Sequence, residues 1–200
     1  MGVVDLSKPE VRRKMVSEAV WLTNECGFDG VQWDYEICPS GDRGLIDLLS
    51  ETRAALPAGK TLSVCTAIWM PDNGEFGWSN EYFGEVAAHC DQMTVMAYDT
   101  AAYFPRLYVQ VMHDQVVHVS HAVALSNPGG RVLIGIPTYG DGTRSHNPHA
   151  ENVEMALRGV REGLADPSAD PHVIAGVSMF ADYTTDEREW QTYRQAWINR

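Results

Sequence analysis

Basic residues are scarce in this sequence. Fifteen Lys and Arg stand against twenty-seven Asp and Glu, a net charge of -12 over 200 residues. Such a surface repels phosphate backbones and anionic lipid headgroups, so neither nucleic acid nor a membrane is an expected partner, and a neutral or cationic substrate suits the chain better. Long apolar runs are also missing. None approaches the roughly 18 residues of a membrane span. The opening stretch MGVVDLSKPEVRRKM lacks the basic-then-apolar layout of a signal peptide, so a secretion signal, if the protein is secreted, lies outside this sequence. The four cysteines, Cys26, Cys38, Cys65 and Cys90, form no CxxC pair, which argues against a zinc site or a dithiol redox motif. Cys26, Cys65 and Cys90 sit in or beside apolar segments and read as small buried hydrophobes, although the sequence does not settle pairing. No GxGxxG fingerprint follows any strand-like segment, which removes the usual sign of a dinucleotide fold. His113, His118 and His121 have no carboxylate or cysteine completing a ligand set, so no metal and no cofactor are expected.

What is present is a strict alternation of helical and strand patterns within one domain, residues 1–200, whose 44% hydrophobic content suffices for a proper core. SKPEVRRKMVSEAVWLTNECG predicts a helix with Ser7 at the N-cap, Pro9 in the first turn and Gly27 at the stop. The strand-like segments are FDGVQWDYE, KTLSVCTAIWM, DQMTVMAYD, RVLIGIPTYG and HVIAGVSMFADY. Between them lie helical stretches: GLIDLLSETRAALPAG, SNEYFGEVAAHC capped by Ser79, FPRLYVQVMHDQVVHVSHAVAL and HAENVEMALRGVREGLA. TTDEREWQTYRQAWINR, capped by Thr184 or Thr185, follows last. The TDERE cluster is then a charged first turn, favourable to the helix dipole. Five strands and six helices in alternation imply an α/β fold with a parallel sheet. A doubly wound sheet and a (β/α)8 barrel remain as alternatives, and a complete barrel needs about 250 residues and eight strands. Either way ligands bind at the C-terminal strand ends, where Glu36, Trp69, Tyr98, Asp99 and Tyr139 stand.

The stretch GFDGVQWDYE is unusual for an interior strand. Gln32, Asp34 and Glu36 occupy alternate positions and therefore share one face, about 6.6 Å apart, with Trp33 and Tyr35 on the other. Burying unpartnered carboxylates is expensive, so this face is a candidate site. Taken alone, Asp34 and Glu36 fit a structural ion-pair network better than they fit catalysis, and only the other motifs reverse that preference. Tyr98 and Tyr139 have a less favoured reading as ordinary strand aromatics, and Trp69, Trp78 and Phe180 read as packing or as sugar platforms. Asp29, before Gly30, suits a turn. His146 and His149, after a strand's C-terminal end, could line a substrate cleft, although a solvated loop is the simpler reading.

Four segments taken together resemble glycoside hydrolase family 18, the chitinases and their relatives. DGVQWDYE is similar to the DGxDxDxE signature of the fourth barrel strand, MTVMAYD to the MxYD motif of the sixth, and LIGIPTYG to the GxPxYG motif of the seventh; AGVSMFADY lines up with the eighth. The resemblance implies an incomplete TIM-type barrel comprising the fourth to eighth strands, with the first strands missing. Its open edges would tend to pair with another copy. It implies a retaining glycosidase acting on β-1,4-linked N-acetylglucosamine polymers by substrate-assisted catalysis. Glu36 would be the acid, its pKa raised by partial burial near Asp34. Asp34 would orient the acetamido group and Tyr98 would donate to its oxygen, with Asp99 and Tyr139 shaping the subsite. Trp69, Phe180 and Gln32 would complete the substrate contacts. Two positions depart from the family pattern: Gln32 replaces an Asp, and Phe180 replaces a Trp. A neutral amide at position 32 could hydrogen-bond Asp34 but could not share a proton with it. The alternatives are a non-catalytic chitooligosaccharide-binding lectin or an inactive remnant.

Overall fold

The computed structural model describes residues 4–36, 38–71 and 77–199. In chain order the elements are α1 (Pro9–Glu25), β1 (Gly30–Trp33), α2 (Arg43–Ala55), β2 (Thr61–Thr66), β3 (Ile68–Trp69), β4 (Gly77–Trp78) and α3 (Asn80–Ala87). There follow β5 (Gln92–Val95), α4 (Pro105–Asp114), α5 (Ser120–Ser126), β6 (Arg131–Pro137), α6 (Val153–Leu164), β7 (Ile174–Phe180) and α7 (Glu187–Tyr193). A π-helical turn, Gln115–Val119, joins α4 to α5, so the single long helix expected from the sequence is one stretch with a wider turn inside it. Five strands form one parallel sheet in the order β1-β2-β5-β6-β7. KTLSVCTAIWM is not one strand: the sheet is left at Thr66, and Ile68–Trp69 pairs instead with Gly77–Trp78.

Alternation decides which side of this sheet is core. Leu62 and Val64 of β2, Met93 and Val95 of β5, and Val132, Ile134 and Ile136 of β6 are buried together with Leu45, Leu48 and Leu49 of α2. The same cluster includes Phe83 and Val86 of α3, Met112 of α4, and Leu157 and Val160 of α6. The alternate residues, Gln32, Ser63, Cys65, Thr94 and Gly135, are small or polar and make up the other face. Parallel sheets covered on both faces read as continuous apolar runs. Here only one face does, which is the pattern of a partial barrel. The polar face of β1, expected inside the protein, is correspondingly open: Gln32, Asp34 and Glu36 are exposed, while Val31, Trp33 and Tyr35 are half-buried on the helix side. Trp33 Nε1 donates to Thr52 Oγ1 of α2 at 3.0 Å.

The helices are placed by their caps and by close contacts. Asp42, Ser79 and Asn152 accept from backbone N–H groups at the starts of α2, α3 and α6. Ser7 does not cap α1, because its hydroxyl donates to Asp5 at 2.6 Å and Lys8 takes the cap position. Nor do Thr184 or Thr185 cap α7: both hydroxyls donate to the Ala181 carbonyl, and Asp186 forms a capping box with Glu189. Trp78 is fully buried, with Nε1 donating to the Cys38 carbonyl at 2.7 Å, so it packs the core and is no sugar platform. The rest of its neighbourhood in the sequence, residues 72–76, lies outside the described residues. Cys38, Cys65 and Cys90 are buried, but Cys26, at the C-cap of α1 before the left-handed Gly27, is exposed. All four are free. Among the described residues no helix is long and apolar enough to cross a membrane.

Gly159 and Gly163, four apart on α6, let α4 and the π turn approach closely. A Cβ at 159 would stand 2.4 Å from the Val109 carbonyl oxygen, and one at 163 would stand 2.7 Å from Val116 Cβ. Alanine normally favours a helix over glycine by about 1 kcal/mol. A backbone oxygen cannot rotate away, however, and overpacking costs about 1–3 kcal/mol. Gly159→Ala is therefore expected to lower the urea midpoint; an unchanged or higher midpoint would show that α4 and α6 can separate without loss.

Candidate active site

The site candidates gather at the C-terminal ends of the parallel strands. Asp34 and Glu36 follow β1, Tyr98 and Asp99 follow β5, Tyr139 follows β6, and Phe180 ends β7. Register puts Gln32 beside Ser63, and Ser63 beside Gln92, on the inner face. Ser63 Oγ donates to Gln32 Oε1 at 2.7 Å, and Gln32 Nε2 donates to Cys65 Sγ at 3.2 Å. Gln32 thus spends its amide on β2, and the hydrogen bond to Asp34 expected from sequence does not form. Asp34 lies near Cys65, whose thiol is pushed up to about 12 by burial first, then by the Asp34 carboxylate and by Glu36.

Tyr98 belongs to the same field of charge. Its hydroxyl is held protonated, above the usual phenol range, by burial first and then by Cys65, Asp34, Glu36 and Asp99. It therefore stays a protonated phenol, able to donate a hydrogen bond, close enough to Asp34, Glu36 and Asp99 to feel their charge. Its ring reaches sideways across β6 and stacks on Phe180, with centroids 4.9 Å apart and planes within 9°. Gly135 makes that possible, since a Cβ there would stand 3.1 Å from Tyr98 Cε1 and 2.7 Å from the Val95 carbonyl oxygen. Tyr139 meets both rings edge-on and donates its hydroxyl to Asp99 Oδ1 at 2.9 Å. Burial, followed by this hydrogen bond to Asp99, raises the Tyr139 pKa too. Tyr108 anchors the helix behind: fully buried, it donates to the Ala97 carbonyl at 2.8 Å, next to Tyr98.

Two expectations change. Glu36 is exposed, so the partial burial expected for it is not supplied by the chain itself. Trp69 is engaged elsewhere. Its ring stacks on His118 of the π turn at 3.6 Å, and its backbone N–H and C=O bond to the Gln115 side chain. The other histidines of that helix are taken up by carboxylates, His113 by Asp114 and Asp166 and His121 by Asp170. Among the described residues no group of three or more His, Cys, Asp or Glu could hold a metal.

Residues missed by the sequence reading lie behind and below the cleft. Ser63 and Cys65 were visible as the polar phase of the β2 alternation. His146 is buried and not part of a solvated loop, its ring 4.2 Å from that of Tyr139, whereas His149 is exposed. Beside it a cavity of about 640 Å³ opens between the loop after β5 and the loop after β6, lined by Tyr103, Arg144, His146 and Asn147 among others. Glu151, read as part of a helix, precedes the Asn152 cap and turns inward.

A five-stranded segment of a parallel barrel, with carboxylates and stacked aromatic rings at the strand ends, is the architecture of a partial α/β barrel whose candidate site lies at the C-terminal strand ends. Residues 4–198 match the family model of glycosyl hydrolases family 18, and the chain belongs to that family. It is similar in fold to a chitinase from Chromobacterium violaceum, with 17% identity and a TM-score of 0.66 over 96% of this chain and 73% of that one. A class V chitinase from Pseudomonas fluorescens Pf-5 superposes equally, at 15% identity and a TM-score of 0.66 over the same shares. The spore cortex-lytic enzyme SleL of Bacillus cereus matches at 12% identity and a TM-score of 0.64, covering 96% of this chain. This chain spans about half of SleL, 54% of its length.

The cysteines offer a direct check on the burial of this face. The Cys38 and Cys90 thiols, like that of Cys65, are pushed up to about 12, chiefly by burial. Raised values mean little thiolate, the reactive form, at pH 8. Native protein treated with Ellman's reagent at pH 8 is expected to release one rapid equivalent, from Cys26, and three more only after denaturation. Rapid modification of Cys65 would show that the Gln32–Asp34 side of the cleft is looser than described.

Proposed function

We propose that this partial barrel, corresponding to the fourth to eighth strands, belongs to a retaining glycoside hydrolase that acts on β-1,4-linked N-acetylglucosamine polymers through the substrate's own acetamido group. The observation that carries this reading is the gathering of Asp34, Glu36 and Tyr98 after the C-terminal ends of β1 and β5, beside the Tyr98–Phe180 stack. Glu36 would protonate the glycosidic oxygen as its bond to the anomeric carbon breaks, while the acetamido oxygen closes on that carbon to give an oxazolinium. Asp34 would accept from the acetamido N–H and stabilise the ring charge, and Tyr98, a protonated phenol, would donate to the acetamido oxygen. Phe180 would support the sugar face, with Asp99 and Tyr139 at its edge. A sugar seated there would cover Glu36, so the desolvation that favours a protonated carboxyl would arrive with the substrate.

The second reading is a chitooligosaccharide-binding, chitinase-like lectin. It is favoured by Gln32, which is bonded to Ser63 and Cys65 and leaves Asp34 without a carboxylate partner. The β1 and β7 edges of the sheet have no further strand neighbour among the described residues, and pairing with another copy is a corollary of either reading.

Chromogenic chitobioside separates the two. Release of product is expected from the unaltered protein, with a loss of about 10²-fold or more in Glu36→Gln. Undiminished turnover in that variant would remove Glu36 from the mechanism. Binding without turnover by calorimetry would select the lectin. Under the enzyme reading Gln32→Asp is expected to raise kcat, because a carboxylate there can share a proton with Asp34; a variant no faster than the parent would show that the amide is not what limits the chemistry.

A further inference from the structure

Behind Tyr139 lies a buried polar group that the chemistry above does not use. Glu151 is 1% exposed, and its carboxylate accepts from the Thr100 N–H at 3.2 Å, the Thr100 hydroxyl at 3.1 Å and the Ala102 N–H at 3.1 Å. His146, also 1% exposed, stands against it. Its Nδ1 is 3.4 Å from Glu151 Oε2 and 3.8 Å from Asp99 Oδ1, and its Nε2 is 3.1 Å from the Tyr139 carbonyl oxygen. Taking a carboxylate out of water is expensive, and an apolar side chain would close a loop more cheaply. The expense has a visible object. The segment gripped by Glu151 is a bend in which Asp99 and Ala101 hold φ of 56° and 57°, a left-handed conformation unfavourable to residues with a Cβ. The Ala101 N–H is tied across to the Ser145 carbonyl at 2.7 Å. At the near end of the bend, Asp99 receives the Tyr139 hydroxyl.

We infer that Glu151 and His146 are positioning residues, which clamp the loop after β5 to the loop after β6 and thereby aim Asp99 at Tyr139. Three donors on one carboxylate hold the bend in its left-handed form, and the imidazole packs against that carboxylate, its Nδ1 without a hydrogen-bond partner, while Nε2 reaches the Tyr139 carbonyl oxygen. Neither residue lies on the open strand-end face; both act through the Asp99–Tyr139 hydrogen bond. The consequence for a bound sugar rests on the proposed glycan site, whereas the clamp itself does not.

Amide hydrogen exchange by NMR tests the clamp directly. Glu151→Gln puts an amide NH2 in place of one of the two oxygens, against either the Thr100 or the Ala102 N–H, and is expected to speed exchange at the amide it faces by roughly tenfold while β6 and α6 keep their protection. Thr100→Val, which removes only the hydroxyl donor, should speed Ala102 by a few fold and provides the test if Glu151→Gln does not fold. Unchanged exchange at both amides, or protection lost evenly through the sheet, would overturn the inference. In calorimetry with tri-N-acetylchitotriose, Glu151→Gln is expected to weaken binding in the parent but to add nothing in a Tyr139→Phe background. Equal losses in both would show that the carboxylate does not act through that pair. If the parent binds no chitooligosaccharide, the proposed function fails, and the exchange measurement alone decides the clamp.

Discussion

The arrangement depends on a period of two. Along β2, β5 and β6 every second residue must bury an aliphatic side chain against the helices, and this requirement sets the phase of each strand. Leu62 and Val64 cannot face inward without Ser63 and Cys65 being driven into the helix layer, so the register of the core is also the register of the cleft. A slip of one residue in β1 would turn Asp34 and Glu36 towards α1 and α2, where carboxylates would lack both water and partners. Hydrophobic burial on one side of the sheet therefore places the polar chemistry on the other.

For that reason the strands, their order of appearance and the end at which the site lies were legible in the sequence. Alternation is a local signal, and the outward phase of Leu62, Met93 and Ile134 carries it without reference to distant residues. The strand-end motifs added Tyr98 and Tyr139. What was not legible was set by contacts between segments far apart in the chain. Whether Gln32 would turn to Asp34 or to β2 depended on Ser63 and Cys65, 31 and 33 residues away. The burial of His146 and Glu151 depended on a bend around Ala101 that no local pattern announces. Helix starts failed differently. Ser7, Thr184 and Thr185 are all good capping residues by type, but each found a nearer partner, in Asp5 or in the Ala181 carbonyl.

The cleft also shows how an absent side chain can shape a site. Tyr98 and Phe180 stand on strands that are not neighbours, with β6 between them. Their rings meet because Gly135, on the intervening strand, leaves its inner face bare. The stack then forms one wall and Tyr139 sets an edge against it, giving a flat apolar surface bordered by oxygens. A pyranose ring has the same division, with C–H groups on its faces and hydroxyls around its rim.

Phe180 in place of the family's Trp keeps the apolar face and gives up the indole N–H, a change of area and of one donor more than of geometry. Gln32 in place of Asp alters charge instead. It removes one negative group from a cluster where Asp34, Glu36 and the Cys65 thiol already crowd the Tyr98 hydroxyl, and it ties the strand laterally to β2. An acidic residue at position 32 would be repelled by Asp34 unless the two shared a proton. The amide relieves that repulsion and also removes the proton store. Under the enzyme reading, the same amide that makes the cleft easier to hold together works against acid catalysis in it. That opposition is why the glycosidase and the sugar-binding readings are separated by one side chain and not by the fold.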